Sequence, residues 1–545
     1  MRTGCRLGCK LTLSVISSVL LILTYPKFNL EFLAWIALIP LFFALENHDS
    51  RLYQSYAKQV REGAMTGFLF GVAFFSGILY WVANVTVPGT IALILLMSTV
   101  PAVFCLLYTM RFQDSLALRQ GASARGSEWQ AFIFVPSAWV CSEYLRSHFF
   151  TGFPWALLGC SQSFNLKVIQ IADITGVYGV SFFVAFINFG LYLTLKRISA
   201  RPCRPREIFS RIVYPFFFLL ILSALVLAYG HNRISRIYPA QRIKIAVIQG
   251  NIPQNLKWDS QYRDYIIDKY ETLTKEAARE KPGLIVWPET SLPGYLEYEA
   301  NLKDKILGLA KSEKTYLLVG TLREEGAKFF NSAALISDNG EIVSNYSKIH
   351  LVPFGEYIPL ADILSFIRIF IDKPIGDFEK GGEFTVFNFK LHRVSIEPGS
   401  IQKTTEFHKF GVLICFEDIF PYLGRRFVLN GARFLVNITN DAWFGRTASP
   451  YQHMQHSVFR AVENRVPVVR AANTGLSCII DHNGKVIKSV KAGEDETFID
   501  GYAVGTIMPT FANTFYTRFG DIFSWFCIMV TAVSLLAHFK SKYHA

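Results

Sequence analysis

The sequence predicts a membrane protein with two parts, an eight-helix transmembrane domain and an extracytoplasmic α/β domain. Hydrophobic residues make up 51% of the 545 residues, which is high for a soluble protein and indicates membrane-embedded segments. Eight apolar runs lie toward the two ends of the chain, and a polar stretch with short β-branched runs separates the seventh from the eighth. A chain of this length also exceeds what one core accommodates, so at least two domains are expected.

The apolar runs have roughly the length that a bilayer-spanning helix needs. The second and fifth runs are short, and each carries a polar residue. The first run follows a basic start that is also typical of a signal peptide, but no small-residue cleavage site precedes "YPKFNLEF", so we expect an uncleaved helix. The runs are Leu11–Tyr25, Leu30–Leu45, Ala64–Val82, Ile91–Met110, Ala131–Leu145, Val177–Leu195, Ile212–Tyr229 and Ile522–Phe539.

Lysine and arginine are concentrated in alternate loops between these runs. Arg51 and Arg119 lie in two of these loops, and "LKRISARPCRPREIFSR" is the densest basic stretch, whereas "YPKFN" and "NVTVPGT" contain almost no basic residues. Because cytoplasmic loops are enriched in lysine and arginine, this pattern predicts cytoplasmic termini and a middle segment on the opposite side. The net charge of +13 is therefore mostly an orientation signal, and nucleic-acid binding is not expected.

We expect a seven-helix transmembrane domain at residues 1–230, an α/β domain at 231–519, and a last transmembrane helix with its tail at 520–545. A helical pattern, "DSQYRDYIIDKYETLTKEAARE", begins at a capping residue, Asp259 or Ser260. Asn-Gly turns in "ALISDNGEIVSNYSK" and "SCIIDHNGKVIKSV" predict two β-hairpins. The buried strands are predicted in "RIKIAVIQGN", "PGLIVWPETS", "TYLLVGTL", "FGVLICFED", "RFLVNITND" and "VPVVRAANTG".

Reactive side chains lie at four predicted strand ends, where the chemistry of layered α/β domains gathers. They are Glu289 in "VWPETS", Lys348 in "NYSKIH", Cys415 in "LICFED" and the run Asn437–Gly445. Each alone has an ordinary structural explanation, as a turn or cap, a solvated lysine, a core thiol or a loop. Together, a thiol, a carboxylate and an ammonium supply the nucleophile, base and oxyanion stabiliser that acyl transfer needs.

The nine cysteines do not indicate a disulfide framework, because their number is odd and their spacing scattered. No CxxC pair suggests a metal site, and neither a metal nor a cofactor is expected.

Glutamate, lysine and cysteine in this order within "PET", "YSKIHLVPFGEYIP" and "LICFED" resemble the nitrilase superfamily. With the apolar runs, and with "QGNIPQNLKW", "NDAWFG" followed by "QH", "RAANTG" and "TRFGD", nearly the whole chain resembles the bacterial apolipoprotein N-acyltransferase family. The resemblance implies an α-β-β-α sandwich. It also implies Glu289 as general base, Lys348 as oxyanion stabiliser and Cys415 as nucleophile.

The resemblance assigns further residues. Glu356 in "FGEYIP" and Glu417, two residues after the cysteine, match acidic positions that the family needs. Structural ion pairing is the alternative for both, with Glu356 beside Lys348. Trp258 in "NLKW" matches an aromatic residue near the lipid-binding mouth, a role that is compatible with an interfacial anchor.

Four groups of residues are expected to have supporting or local roles. Asn440, Asp441 and Trp443 are expected to shape the pocket, and His350 and His453 to be structural hydrogen-bonding groups. The segments "HFFTGFPWALLG" (148–159) and "LVPFGEYIPLADILSFIRIFI" (351–371) either line the lipid's path or pack within the protein. Residues 387–411 form an extra hairpin or a mobile loop.

The function implied by the resemblance is lipoprotein maturation at the bacterial inner membrane, with the catalytic domain in the periplasm. An acyl group from the sn-1 ester of a phospholipid would form a thioester on Cys415 and pass to the α-amino group of an apolipoprotein's diacylglyceryl-cysteine. The partners would be the phospholipid, the apolipoprotein and the bilayer. A membrane-tethered nitrilase-type amidase or hydrolase is the alternative. A transporter is disfavoured because, apart from Glu31 at the start of the second run, Glu143 is the only acid within the apolar runs.

Overall fold

A computed structural model describes residues 2–46, 56–112, 124–199, 214–236, 241–358, 377–397, 400–510 and 513–543. The chain forms two compact units, one from Met1–Ser235 together with Phe519–Ala545, and the other from Arg236–Arg518. Some features named in the sequence analysis lie outside the described residues. They are Arg51, Arg119, residues 200–213 with most of the basic stretch, and residues 359–371 of the second aromatic segment.

Helices account for the whole regular structure of the first unit in the described residues, and helices and strands alternate in the second. The α-helices are α1 (Arg2–Ile22), α2 (Ile39–Ala44), α3 (Tyr56–Leu79), α4 (Val87–Phe112), α5 (Ala124–His148), α6 (Leu166–Ile169), α7 (Ala172–Thr175), α8 (Val177–Ser199), α9 (Tyr214–Ile234), α10 (Arg263–Ala278), α11 (Ala300–Glu313), α12 (Pro421–Leu429), α13 (Ser449–Asn464), α14 (Phe515–Phe519) and α15 (Ile522–Tyr543).

Five helices of the described residues are long and apolar enough to cross a membrane, and they coincide with the third, fourth, sixth, seventh and eighth predicted runs. The first run lies in α1, whose apolar part, Gly8–Ile22, is shorter, and the fifth lies in α5. The second run is interrupted: a 3-10 turn, Glu31–Trp35, precedes α2, which starts near Pro40 because proline lacks the N–H that a continuing helix needs. The count of eight spans stays a prediction.

The acid within the fifth run, Glu143, ties α5 to the loop that follows it. Its Oε1 accepts hydrogen bonds from the Trp139 indole at 3.1 Å and from the Leu158 N–H at 2.6 Å. Arg146, one turn further along α5, donates to the carbonyl oxygen of Trp155 at 2.9 Å. These bonds give the buried side chains of Glu143 and Arg146 hydrogen-bond partners within the helical unit.

The segment 148–159 divides into two parts with different surroundings. Phe149 and Phe150 are 69% and 79% exposed, whereas Trp155 is fully buried and Leu157 almost so. The second part therefore packs within the helical unit, and only the first part presents aromatic side chains at its surface.

The α/β unit contains two six-stranded sheets, in the orders β12-β1-β2-β3-β4-β5 and β11-β10-β9-β8-β7-β6. Each has three parallel strands, β1-β2-β3 or β7-β8-β9, flanked by antiparallel neighbours. The strands are β1 (Ile243–Gln249), β2 (Leu284–Val286), β3 (Tyr316–Glu325), β4 (Lys328–Ile336), β5 (Ile342–Ser347), β6 (Val386–Glu397), β7 (Ser400–Ile414), β8 (Phe434–Thr439), β9 (Val468–Ala472), β10 (Cys478–Ile480), β11 (Val486–Ser489) and β12 (Gly501–Ile507).

The strand and hairpin predictions for this unit are confirmed. All six apolar runs contain strands, namely the six parallel ones, and both Asn-Gly turns join antiparallel neighbours, β4–β5 and β10–β11. Residues 387–397 and 400–411 pair as the antiparallel strands β6 and β7, so the hairpin alternative is correct; residues 398–399 lie outside the described residues. Asp259 caps the 3-10 turn before α10 by accepting from the Gln261 N–H at 3.0 Å.

Helices cover the outer faces of the two sheets. On the first sheet, α10 and α11 bury Ile266, Tyr270 and Ile306 in one apolar cluster with Trp287. On the second, α12 packs on β7 and α13 on β9, while β9 also packs against β1 across the sandwich. The order helix, sheet, sheet, helix agrees with the expected α-β-β-α sandwich, and it brings the ends of strands from both sheets together.

Candidate active site

Cys415 lies at the corner where β7 ends and a 3-10 turn, Cys415–Ile419, begins. Its φ is +54°, a left-handed conformation that is unfavourable for residues other than glycine. The side chain is 9% exposed. A tight corner on a rigid strand therefore holds the sulfur at the carboxyl end of β7.

The first sheet contributes two charged side chains to the site. Glu289 follows β2 and Lys348 follows β5, and these strands run in the same direction, so both residues lie at one edge of the sheet. The Lys348 ammonium is 3.8 Å from Glu289 Oε1 and 2.9 Å from Glu356 Oε1. Lys348 is 1% exposed and Glu289 is 6% exposed. The structure thus joins Glu289, Lys348 and Glu356 in one buried cluster.

Asn331 on β4 completes this cluster, and the sequence analysis missed it. Its Nδ2 donates to Glu289 Oε1 at 2.7 Å and to Glu356 Oε1 at 2.9 Å. Its only sequence signal is a buried amide within the strand "FFNSAALI". Glu289, Asn331, Lys348 and Glu356 are called the reactive cluster below.

The charges of the reactive cluster act on Cys415. Burial raises the pKa of the Cys415 thiol well above its ordinary value; Glu289 adds to this effect, and Lys348 and the Thr439 hydroxyl oppose it. Burial lowers the pKa of Lys348, but Glu356, Cys415 and Glu289 outweigh it and leave that pKa raised. The site therefore holds a neutral thiol and a firmly charged lysine. A neutral thiol can act as a nucleophile only with the help of a base.

Glu417 ties the two strand ends together. It is fully buried, and its carboxylate accepts hydrogen bonds from backbone N–H groups next to Lys348 and next to Cys415. Burial raises the pKa of Glu417 to about 7, with these N–H groups and the Lys348 charge acting in the opposite direction. The donors are the Ile349 N–H at 2.7 Å, the His350 N–H at 3.0 Å, the Ile414 N–H at 2.7 Å and the Tyr346 hydroxyl at 2.9 Å.

A network of fully buried charges lies on the second sheet behind Cys415. The two nitrogens of His453 contact Asp418 at 2.7 Å and Asp441 at 3.1 Å. Arg470 contacts both carboxylates at 3.2 Å. Burial opposes ionisation, but His453 and Arg470 outweigh it and lower the pKa of Asp418 to about 2. These contacts of His453 are consistent with the structural hydrogen-bonding role expected of it.

This network reaches Cys415 through Asn437. Arg470 donates to Asn437 Oδ1 at 2.6 Å, and Asn437 Nδ2 donates to the Cys415 carbonyl oxygen at 3.0 Å. The backbone of the strained corner is thus anchored in buried charge. Asn437 together with Asp418, Asp441, His453 and Arg470 is called the supporting network below.

The remaining predicted residues lie around these two groups. Asn440 Nδ2 donates to Gln254 Oε1 at 2.8 Å, so it holds the loop after β1. Trp443 lies in the 3-10 turn Asp441–Phe444. His350 Nδ1 is 3.1 Å from the Tyr422 hydroxyl.

Trp258 is 51% exposed, but its neighbour Lys257 is only 3% exposed. The Lys257 ammonium donates to the carbonyl oxygen of Glu289 at 3.0 Å. The sequence analysis considered "NLKW" only for its tryptophan, since nothing in the local sequence distinguishes this lysine from a solvated one.

Comparison with known proteins assigns both units of the chain. Residues 244–507 match the family model "Carbon-nitrogen hydrolase", and residues 17–190 match "Apolipoprotein N-acyltransferase N-terminal domain". The apolipoprotein N-acyltransferase of Geobacter metallireducens is 38% identical over 536 residues, which cover 97% of this chain and 95% of that protein. Those of Brucella melitensis and Rickettsia prowazekii are 30% and 31% identical, over 96% and 84% of this chain and 94% and 86% of their own length. The chain belongs to the apolipoprotein N-acyltransferase family.

Proposed function

We propose that this chain transfers a fatty acyl group from the sn-1 position of a phospholipid to the α-amino group of the N-terminal diacylglyceryl-cysteine of an apolipoprotein. The acyl group passes through a thioester on Cys415. The observation that carries the proposal is the reactive cluster, whose charges act on a strained, buried cysteine in a chain of this family.

In the first half-reaction, Cys415 attacks the phospholipid ester while its thiol proton passes to Glu289. Lys348 and the backbone N–H of Phe416 stabilise the oxyanion. The carbon–oxygen bond breaks, Glu289 returns the proton to the leaving oxygen, and a lysophospholipid departs. Because burial keeps the resting thiol protonated, a base close to the sulfur is required for this step.

In the second half-reaction, the α-amino group of the lipoprotein attacks the thioester. Glu289 takes a proton from the amine, the carbon–sulfur bond breaks, and the proton returns to the Cys415 sulfur. Glu356 holds the Lys348 ammonium, as the 2.9 Å contact supports. Glu417 positions both Lys348 and Cys415 through its backbone bonds and has no direct part in proton transfer.

The need for a membrane domain follows from the lipid anchors of the two proposed substrates. Both are anchored by acyl chains, and moving such chains into water costs about 0.8 kcal/mol per CH₂, so the reaction must take place at the bilayer surface. We propose transmembrane segments at 1–230 and 520–545, with eight spans, and a catalytic domain at 231–519 on the periplasmic side of a bacterial inner membrane. Both termini are then cytoplasmic, and Trp258 lies near the lipid-binding mouth.

The test compares Cys415→Ser with Cys478→Ser, because Cys478 is a fully buried thiol on another strand of the same sheet. Purified variants are incubated with phospholipid and a diacylglyceryl lipopeptide, and the N-acylated product is measured by mass spectrometry. We expect no product from Cys415→Ser and product from Cys478→Ser. If Cys415→Ser forms the N-acylated product near the wild-type rate, the assignment of Cys415 as the nucleophile is wrong. Free fatty acid in place of acylated lipopeptide from the wild type would identify a hydrolase instead.

A further inference from the structure

Lys257 is a buried charge beside the site that the reaction just described does not use. Its side chain is 3% exposed, and its ammonium donates to the Glu289 carbonyl oxygen at 3.0 Å. A buried ammonium is costly unless nearby groups compensate it. The compensating groups here are the backbone and the charges of the proposed catalytic residues.

The loop that carries Lys257 is fixed by amide side chains of the second sheet. Ile252 exchanges two hydrogen bonds with the Asn473 side chain, both at 2.8 Å. Gln254 accepts from Asn440, and Asn440 accepts in turn from Asn473 at 3.0 Å. The loop before Lys257 is therefore tied to the second sheet, while the Lys257 ammonium itself bonds to Glu289 beside the first sheet.

The reactive cluster shares one cation between two carboxylates. Lys348 is nearer to Glu356, at 2.9 Å, than to Glu289, at 3.8 Å. Lys257 adds a second cation on the side of Glu289, and the groups whose charges act on it are Glu289 and Cys415. These two residues exchange the proton in both proposed half-reactions, so negative charge moves between them during the chemistry.

We infer that Lys257 is the second cation of the active site: it stabilises the negative charge that moves between Glu289 and Cys415, and it holds the backbone of Glu289 in place. The inference rests on the proposed function. No covalent bond forms to Lys257, which acts through its charge and through its hydrogen bond to the Glu289 backbone. Burial lowers the pKa of Lys257 to about 8, with Glu289 and Cys415 acting against it, so the ammonium is present at neutral pH and is lost above about pH 8.

Three substitutions separate its charge from its hydrogen bond. Lys257→Arg keeps both the charge and a donor, Lys257→Gln keeps only a donor, and Lys257→Met removes both. The measurement is the single-turnover rate of thioester formation on Cys415 with phospholipid alone, as a function of pH. The lipoprotein acceptor is omitted because an α-amino group titrates in the same range, near pH 8.

For the wild type we expect the rate to fall as the pH rises through about 8, because the ammonium is lost. Lys257→Arg should move this decline to higher pH, since guanidinium stays charged. Lys257→Gln and Lys257→Met should lack this decline. At neutral pH both should react about tenfold more slowly than the wild type, with little change in the apparent KM for phospholipid. The tenfold figure corresponds to about one pKa unit of lost charge stabilisation.

A wild-type rate and pH profile in Lys257→Gln would overturn the electrostatic role, since that variant retains only the donor. Should Lys257→Met fail to fold, which its melting temperature reports, the pair of Lys257→Arg and Lys257→Gln decides alone. Absence of any wild-type thioester would refute the proposed function itself. Wild-type thioester formation with unaltered Lys257 variants would refute only this inference.

Discussion

The two sides of Cys415 differ in how their charges are paired. In the reactive cluster, one lysine is shared between two carboxylates at unequal distances, 2.9 and 3.8 Å. In the supporting network, Asp418 and Asp441 each contact both His453 and Arg470, at 2.7–3.2 Å. In the supporting network the pKa of Asp418 and of Asp441 is lowered and that of His453 is raised, because the paired charges outweigh the effect of burial. In the reactive cluster, Glu289 shares the Lys348 ammonium with Glu356. We therefore expect a division between the two groups: substitutions in the reactive cluster should mainly reduce activity, and substitutions in the supporting network should mainly reduce stability.

The largest expected effect is on activity, in the reactive cluster. Glu289→Gln removes the proposed base, so thioester formation should slow by about 10²–10⁴-fold. The melting temperature should change little, because the Gln oxygen can still accept from Asn331. Single-turnover kinetics and thermal unfolding in the same detergent measure both. A near-wild-type rate would contradict the division.

A substitution in the supporting network should show the reverse pattern. Arg470→Met leaves two buried carboxylates with His453 as their remaining cationic contact in the described network, which should cost about 3–5 kcal/mol of stability. Thermal unfolding measures this loss, and the fraction that stays folded should still form the thioester. An unchanged melting temperature with complete loss of thioester formation would place Arg470 in the chemistry instead.

Glu417→Gln should lower stability and activity together. One carboxylate oxygen becomes an NH₂ group that faces N–H donors, so at least one buried hydrogen bond is lost, at a cost of about 1–3 kcal/mol. Because these bonds lie beside Lys348 and Cys415, kcat should fall while the apparent KM changes less. An intact melting temperature with loss of activity would indicate a direct role in proton transfer.

The pH dependence of stability should have opposite signs at two neighbouring acids. The pKa of Asp418 falls from 3.8 to about 2 on folding, so it contributes about 2 kcal/mol that is present above pH 4 and lost toward pH 2. The pKa of Glu417 rises from 4.5 to about 7, so its contribution is greatest below pH 4.5 and is lost as the pH rises through 7. The melting temperatures of Asp418→Asn and Glu417→Gln are measured across pH and compared with those of the wild type. Asp418→Asn should lack the loss of stability toward pH 2. Glu417→Gln should lack the loss of stability as the pH rises through 7. Wild-type profiles in both variants would contradict these signs.

The smallest effect on stability is expected at Trp258. Because the side chain is 51% exposed, Trp258→Ala should change stability by about 0.5 kcal/mol or less. If it contacts lipid, the apparent KM for phospholipid should rise. Steady-state kinetics with phospholipid vesicles measure this, and an unchanged KM would leave it without a role in lipid binding.

Much of the fold was predictable from the sequence because its signals are local. Continuous β-branched runs predicted the parallel strands, and Asn-Gly turns predicted two hairpins. The second apolar run was an exception, since Pro40 limits the helix to α2 despite the favourable hydropathy. Periodicity and composition therefore sufficed for strands but did not fix the number of spans.

The candidate site was predictable only where polar side chains follow predicted strands. Glu289, Lys348 and Cys415 were chosen because each follows a predicted strand and matches a family pattern, and the structure places them after β2, β5 and β7. Asn331 and Lys257 were missed because their burial depends on contacts with Glu289, which is distant in sequence. The positioning role of Glu417 likewise depends on N–H groups of a remote loop, and no local pattern shows them.

Mass spectrometry of the enzyme incubated with phospholipid alone tests the central claim most directly. The account predicts a fatty-acyl adduct on the Cys415 peptide that hydroxylamine removes and that disappears when diacylglyceryl lipopeptide is added. Glu289→Gln should accumulate it far more slowly than wild type, and Arg470→Met should still accumulate it in the folded fraction. Formation of N-acylated lipopeptide without any adduct on Cys415, or with an adduct on another residue, would contradict the account.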